Sequence, residues 1–225
     1  MEGTQNHESV MTLQKIVLFG AGGMGKEMAL LVSSINEKEP TFDLLGFVVD
    51  KEFYQPGESV NGVEVLGTTQ WLIEHKNSVA CVVCIGDAKE RLAVFERLKA
   101  LGVNFATLIA PDVYIDDTVS VGEGCIVTFR CMISLNTTLE DGVFLNSDVT
   151  IGHDCLLHKC ATVYPRGQVS GGCIIGAGAQ VSSCSFLAKN ARIGEKAVVA
   201  PLSAVYGKVK SGTYVIGNPA HRIEL

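Results

Sequence analysis

Val143-Phe-Leu-Asn-Ser-Asp-Val149-Thr-Ile-Gly-His-Asp-Cys155-Leu-Leu157 carries aliphatics at Leu145, Ile151 and Leu157, six residues apart. The beat runs on in both directions without a break. It begins at Ile109 and passes Ile115, Val121, Val127, Ile133 and Leu139; beyond Leu157 it passes Val163, Val169, Ile175, Val181, Leu187, Ile193 and Val199 and ends at Val205, seventeen aliphatics in all. This is neither the helix period nor the strand period. It is the hexapeptide signature of a β-helix, a solenoid of short flat strands joined by turns. Three hexapeptides make one triangular coil, so the region predicts about five coils.

A second rank stands two residues before each aliphatic. It includes Cys125, Cys131, Thr137, Cys155, Ala161, Gly167, Cys173, Ser185 and Ser203, and no charged or aromatic residue enters it. Alternation along a strand puts both ranks on the same, inward side. Glycines often follow the aliphatic (Gly122, Gly152, Gly176, Gly194), which suggests tight turns needing a permissive backbone.

The chain has 225 residues, a net charge of −6 and a pI near 5.4, with no basic run or aromatic-interleaved patch, which argues against a nucleic-acid protein. No apolar stretch reaches membrane-spanning length, and the polar start, Met1 to Thr12, lacks the apolar region of a signal peptide, so a cytoplasmic protein is expected. Of eight cysteines, four sit in the inward rank and behave as small hydrophobes. Cys81 and Cys84 form a lone C-x-x-C inside a strand-like run, a poor zinc knuckle, and are read as structural thiols. Free thiols suit a reducing compartment.

Before the repeats, Lys15–Phe19 reads as a buried strand leading into Gly20-Ala-Gly-Gly-Met-Gly25, with helical spacing from Lys26 to Ile35. A second strand, Leu44–Val49, ends at Asp50 and Lys51; a short helix follows over Thr68–Glu74, capped by Thr68 or Thr69. A third strand, Val79–Ile85, leads to Gly86-Asp87 and an amphipathic helix from Ala88 to Leu101. Strand, glycine turn and helix make the first unit of a Rossmann-like fold. Three readings stand for the glycine turn: a nucleotide-sugar site, a purely structural turn, or a dinucleotide site with Asp43 or Asp50 on the ribose. Only three strands fit before the repeats begin, half of what a dinucleotide needs. The expected division is a tail over 1–13, a Rossmann-like unit over 14–102 and the β-helix over 103–225.

Of five histidines, His7 lies in the tail, His75 ends a short helix and His221 lies in the last turn. His153 stands two places after an aliphatic, hence outward, beside Asp154, and eighteen residues on is Gly171. An imidazole beneath a position with no side chain makes a cleft for a thioester carbonyl, and the Asp154 carboxylate orients the ring and raises its basicity. The alternatives are a surface His beside a surface Asp, and a metal site, for which His158 is badly spaced.

These features together resemble the bacterial sugar O- and N-acyltransferases grouped with the sialic acid O-acetyltransferases, and most of all their nucleotide-amino-sugar N-acetyltransferases. The resemblance rests on the glycine-rich half-Rossmann unit, the hexapeptide prism, the outward His-Asp-Cys and the closing Gly217-Asn-Pro-Ala-His-Arg-Ile223. It implies a left-handed parallel β-helix and direct acetyl transfer from acetyl-CoA to a nucleotide-linked amino sugar, of the 4-amino-4,6-dideoxy type, in glycan precursor synthesis. It implies His153 as general base with Asp154 as its acidic partner, Asn146 on the sugar, and Gly20, Gly22, Gly23, Met24, Asp50, Lys51, Gly86 and Asp87 at the nucleotide. Gly171, Thr162, Gly217 and Pro219 would meet the coenzyme. It implies a homotrimer with active sites between subunits, and no metal. An O-acetyltransferase of sialic-acid-like sugars and a non-catalytic trimeric scaffold are the alternatives. Two positions depart from the family: Met24 replaces the His of its Gly-Gly-His-Gly loop, and Thr162 stands where close relatives carry a second His. Arg166 is placed either on an anionic group or at a solvent corner.

Overall fold

The structure is a computed structural model and describes residues 12–224. Most of the expected tail, with His7, lies outside the described residues.

The N-terminal unit is an α/β layer. Its elements are β1 (Gln14–Phe19), α1 (Gly23–Lys38), β2 (Phe42–Val49), a 3-10 turn (Lys51–Phe53), β3 (Ser59–Val60), β4 (Val63–Thr68), α2 (Thr69–His75), β5 (Ala80–Val83) and α3 (Ala88–Ala100). The sheet order is β3-β4-β2-β1-β5, parallel except for the β3–β4 hairpin. The three-strand expectation is therefore corrected: β3 and β4 were missed. Their turn is Asn61-Gly62, both with positive φ (51° and 80°), the two-residue hairpin signal that the sequence offers. Helix α1 packs Met28, Leu31 and Val32 on one side of the sheet with Ile16 and Leu18, and α3 packs Leu92, Phe95 and Leu98 on the other with Val17 and Phe19.

From Leu108 the chain forms the left-handed parallel β-helix as two-residue strands at six-residue intervals, stacked into three parallel faces. Register is eighteen residues per coil, Thr150 against Gln168 and Ile151 against Val169. Both ranks point inward as expected: Leu145, Ile151, Leu157 and Val163 are wholly buried, as are Val143, Ala161 and Cys173. Ile109, Ile115 and Val121 are only partly buried, because no coil lies beneath them. At the far end the last coil shortens, pairing Arg192 with Lys208 across sixteen residues, and Tyr214–Ile216 folds back antiparallel onto His221–Ile223.

The turn chemistry differs from expectation. Positive φ falls three places after each aliphatic from Val121 to Val199, at Arg130, Asn136, Asp148, Asp154, Cys160, Arg166 and their equivalents, and not at Gly152 or Gly176. Those glycines answer to space instead. A Cβ on Gly152 would stand 2.6 Å from the backbone N of Gly171 in the next coil, and one on Gly176 would stand 2.5 Å from that of Glu195.

The N-terminal unit covers the face that carries Leu108, Ile126, Phe144 and Thr162 outward, all buried. Helix α3 lies along one edge of that face, where Gly124, Gly142 and Gly178 leave room for Phe95 and Leu92. Arg91 of α3, 1% exposed, crosses the junction. It donates to Ile85 O (2.9 Å), Gly86 O (3.2 Å), Cys160 O (2.9 Å) and the Thr162 hydroxyl, and its guanidinium lies over the Phe144 ring. Lys99 adds surface pairs to Glu123 (2.6 Å) and Asp141 (2.7 Å).

Candidate active site

Gly20 turns at φ 108°, and α1 begins at Gly23, three residues earlier than the helical spacing suggested, so the glycine loop feeds straight into a helix N-terminus with unpaired N–H groups. Gly25 takes up the tightest packing, against Gly20 O and the Phe47 ring. Gly22 and Gly23 face open space. Above them lies a cavity of about 470 Å³ walled by Gly20, Gly22, Gly23, Met24, Asp50 and Gly86, with Phe53 and Glu58 at its rim. Six of the eight residues expected at the nucleotide thus share one cavity. Asp50 is held there by Arg97 (2.8 Å to each oxygen) and by the Thr69 hydroxyl (3.0 Å).

Lys51 and Asp87 fall outside that wall. Lys51 is exposed on the 3-10 turn. Asp87 caps α3, accepting from Lys89 N (2.9 Å) and Glu90 N (3.0 Å), and from Gln180 Nε2 of the prism (2.8 Å). Burial raises its carboxyl pKa, and these hydrogen bonds outweigh burial and leave it below the usual carboxylate value.

His153 and Asp154 lie on the edge between the two faces that the N-terminal unit does not cover. Nδ1 of His153 meets Asp154 Oδ2 at 2.6 Å, and Asp154 Oδ1 accepts from Asn136 Nδ2 at 3.1 Å. The hydrogen bonds from His153 and then Asn136 hold the Asp154 carboxyl below its usual range. One coil above, a Cβ on Gly171 would stand 2.5 Å from His153 Nε2. The glycine expected over the imidazole is therefore in contact with it. Gly172 N donates to His153 O (2.8 Å), and Arg192 Nη1 donates to Gly172 O (2.5 Å). Among the described residues Gly171 N has no backbone acceptor.

Farther up the same edge, Pro219 lines an open cavity of about 410 Å³ with Tyr206, Lys208, Lys210, His221 and Arg222. Gly217 (φ 104°) begins that loop and donates its N–H to Ser203 Oγ at 3.0 Å. Asn146 sits elsewhere, in a crevice of about 220 Å³ between α1 and the prism, with its Oδ1 accepting from Ser147 N at 2.7 Å. The placement of Thr162 at the coenzyme is corrected. Thr162 is wholly buried against Arg91 beneath the N-terminal unit and presents nothing to a ligand. Arg166 is an exposed corner residue. His158 faces Glu140 (3.1 Å) on another edge, and among the described residues no three His, Cys, Asp or Glu side chains gather as a metal site. Cys81 and Cys84 are buried in and just after β5, where burial pushes both thiols well above their ordinary pKa. No helix among the described residues is long and apolar enough to cross a membrane.

A hexapeptide prism with an outward His-Asp beneath a glycine, joined to a glycine-loop α/β unit, is the arrangement expected of an acetyltransferase acting with coenzyme A. Comparison with known proteins sharpens that class. Residues 15–98 match the PglD N-terminal domain. The chain is 28% identical over 212 residues to GDP-perosamine N-acetyltransferase of Escherichia coli O157:H7, covering 92% of this chain and 95% of that one. Its fold matches the acetyltransferase domain of PglB from Neisseria gonorrhoeae FA1090 in complex with acetyl coenzyme A (27% identity, TM-score 0.84, 94% of this chain and 100% of that one). It also matches PerB from Caulobacter crescentus in complex with CoA and GDP-perosamine (22% identity, TM-score 0.82, 95% and 99%), a likeness of fold. These likenesses support a sugar N-acetyltransferase.

Proposed function

We propose that the chain moves an acetyl group from acetyl-CoA to the amino group of a nucleotide-linked amino sugar in one direct step. The observation that carries this is the imidazole of His153. Its Nδ1 is committed to Asp154, and its Nε2 is turned to Gly171. With the Nδ1 proton on the Asp154 side, Nε2 is the proton acceptor. It takes the proton as the amine nitrogen bonds to the thioester carbon. The carbonyl oxygen gathers charge, which the Gly171 N–H stabilises. The carbon–sulfur bond then breaks, and the proton held on His153 passes to the departing thiolate, which leaves as coenzyme A and returns the imidazole to its neutral form.

The remaining assignments follow the edges of the prism. The coenzyme runs along the edge of His153, with its acetyl group at Gly171 and its phosphates towards Lys208, Lys210 and Arg222 beside Gly217 and Pro219. The nucleotide lies on the glycine loop, with Asp50 in the wall and Lys51 close by; Asp87 positions α3 and does not contact it. The E. coli relative, a GDP-perosamine N-acetyltransferase, supports a substrate of the 4-amino-4,6-dideoxy-sugar class. In one chain the glycine cavity belongs to the unit covering one face, and His153 stands on the opposite edge. A second copy has to bring the two together, which favours a homotrimer with sites between subunits, where Asn146 reaches the sugar. Exposed Tyr114, Met132 and Phe186 on the second face supply apolar surface for it. Eight unpaired thiols and a coenzyme A substrate suit the cytoplasm.

His153→Ala tests the reading. It is expected to lower kcat by roughly 10²–10⁴-fold with the oligomer intact. Full activity in that variant sinks it.

A further inference from the structure

The base and its carboxylate sit at the top of a chain of hydrogen bonds that descends the same edge through two coils. Asp154 spends one oxygen on His153 and the other on the side chain of Asn136, so neither oxygen is free to rotate away. Asn136 is anchored in turn: its backbone N–H donates to Thr118 Oγ1 at 2.8 Å. The Thr118 hydroxyl and N–H both donate to Asp116 Oδ1, at 2.6 Å and 3.0 Å. Every link has one polarity. Thr118 gives its proton to Asp116 and so accepts from Asn136. The amide of Asn136 must turn its NH₂ to Asp154, because its oxygen would face a carboxylate. The position also needs its residue type: Asn136 has φ 56°, a left-handed conformation that Asn tolerates and most side chains do not.

We propose that Asn136 is a positioning residue for acetyl transfer, pinning the Asp154 carboxylate that orients His153. The proposal rests on His153 as general base. Asn136 is exposed, and a hydrogen bond to an exposed carboxylate contributes little to stability. Its contribution is to orientation, and it belongs in kcat. The other charged groups about the pair are few. Asp116 stands at the foot of the edge. Asp117 lies two coils below His153 in its own column and Lys189 two coils above. Arg192 lies on the Gly172 carbonyl.

Two substitutions keep the left-handed turn. Asn136→Gly removes the amide, and Asn136→Asp replaces it with a second carboxylate. Each is measured by steady-state kinetics across pH with acetyl-CoA and a nucleotide amino sugar, in the wild-type and Asp154→Ala backgrounds. Asn136→Gly is expected to lower kcat roughly 10-fold while both KM values stay within about twofold, and to cost nothing further once Asp154 is Ala. Asn136→Asp is expected to move the acid limb of kcat/KM to higher pH, since added negative charge favours the protonated imidazole. Unchanged kcat in Asn136→Gly, an equal loss in the Asp154→Ala background, or an unmoved limb in Asn136→Asp each overturns the proposal. His153→Ala is run alongside. If it is inactive while Asn136→Gly is silent, the general base stands and only this inference falls; if it is active, the general base falls.

Discussion

His153 lies against Gly171 so closely that a single added carbon on the glycine would stand 2.5 Å from the imidazole Nε2. The two residues are one coil apart, and their contact fixes where a reacting carbonyl has to lie: beside Nε2, within reach of the Gly171 N–H.

Gly171→Ala is therefore expected to disable the enzyme without unfolding it. Gly171 does not have positive φ, so alanine is tolerated by the backbone, but its methyl displaces the ring from the line of attack. We expect kcat to fall by about 10²-fold or more, the scale of losing an oriented base, with a melting temperature near that of the parent. Turnover close to wild type would show that the imidazole does not act at this contact.

The pH dependence separates the two members of the pair. Asp154 is held below the ordinary carboxylate value, so it stays ionised until the pH falls beneath that range. An acid limb near neutral pH therefore does not report Asp154. In Asp154→Asn the charge that favours the imidazolium is gone. The limb moves to lower pH while kcat drops by about 10-fold or more. A limb that stays in place in Asp154→Asn would count against the pairing.

Arg91 tests how the two units are joined. Arg91→Met fills similar volume but leaves the carbonyls of Ile85 and Cys160 without their donor in a dry junction. We expect a loss of about 3 kcal/mol in chemical unfolding, with a single transition retained. A change below about 0.5 kcal/mol would mean that water replaces the guanidinium.

The prism was legible because one strand pair per six residues leaves no freedom: each inward position must be filled at the same place in every coil. That regularity also brought out His153 and the glycine above it. The N-terminal sheet was read less completely. β3 and β4 are short, and Val63–Thr68 carries a Glu and a Gly among its apolar residues, which hid the strand. Asn61-Gly62 was the available sign. Thr162 was misplaced for a different reason. Outward on a prism means exposed only on a free face, and whether a face is free depends on where another unit docks, which the repeat does not encode. Asn136 passed unnoticed because it is an ordinary corner residue until the carboxylate above it is known to act on His153.

The corner glycines beside α3 have a practical meaning for anyone exchanging nucleotide specificity between such enzymes. Gly124, Gly142 and Gly178 shape the edge of the prism to Phe95 and Leu92 of this particular helix, and Arg91 reaches past them to Cys160 and Thr162. A graft cut at the end of α3 would set a foreign helix on an edge carved for another. The transplantable module includes that strip of the prism, so the natural seam between donor and recipient runs through the coils and not through the loop that separates the two units in sequence.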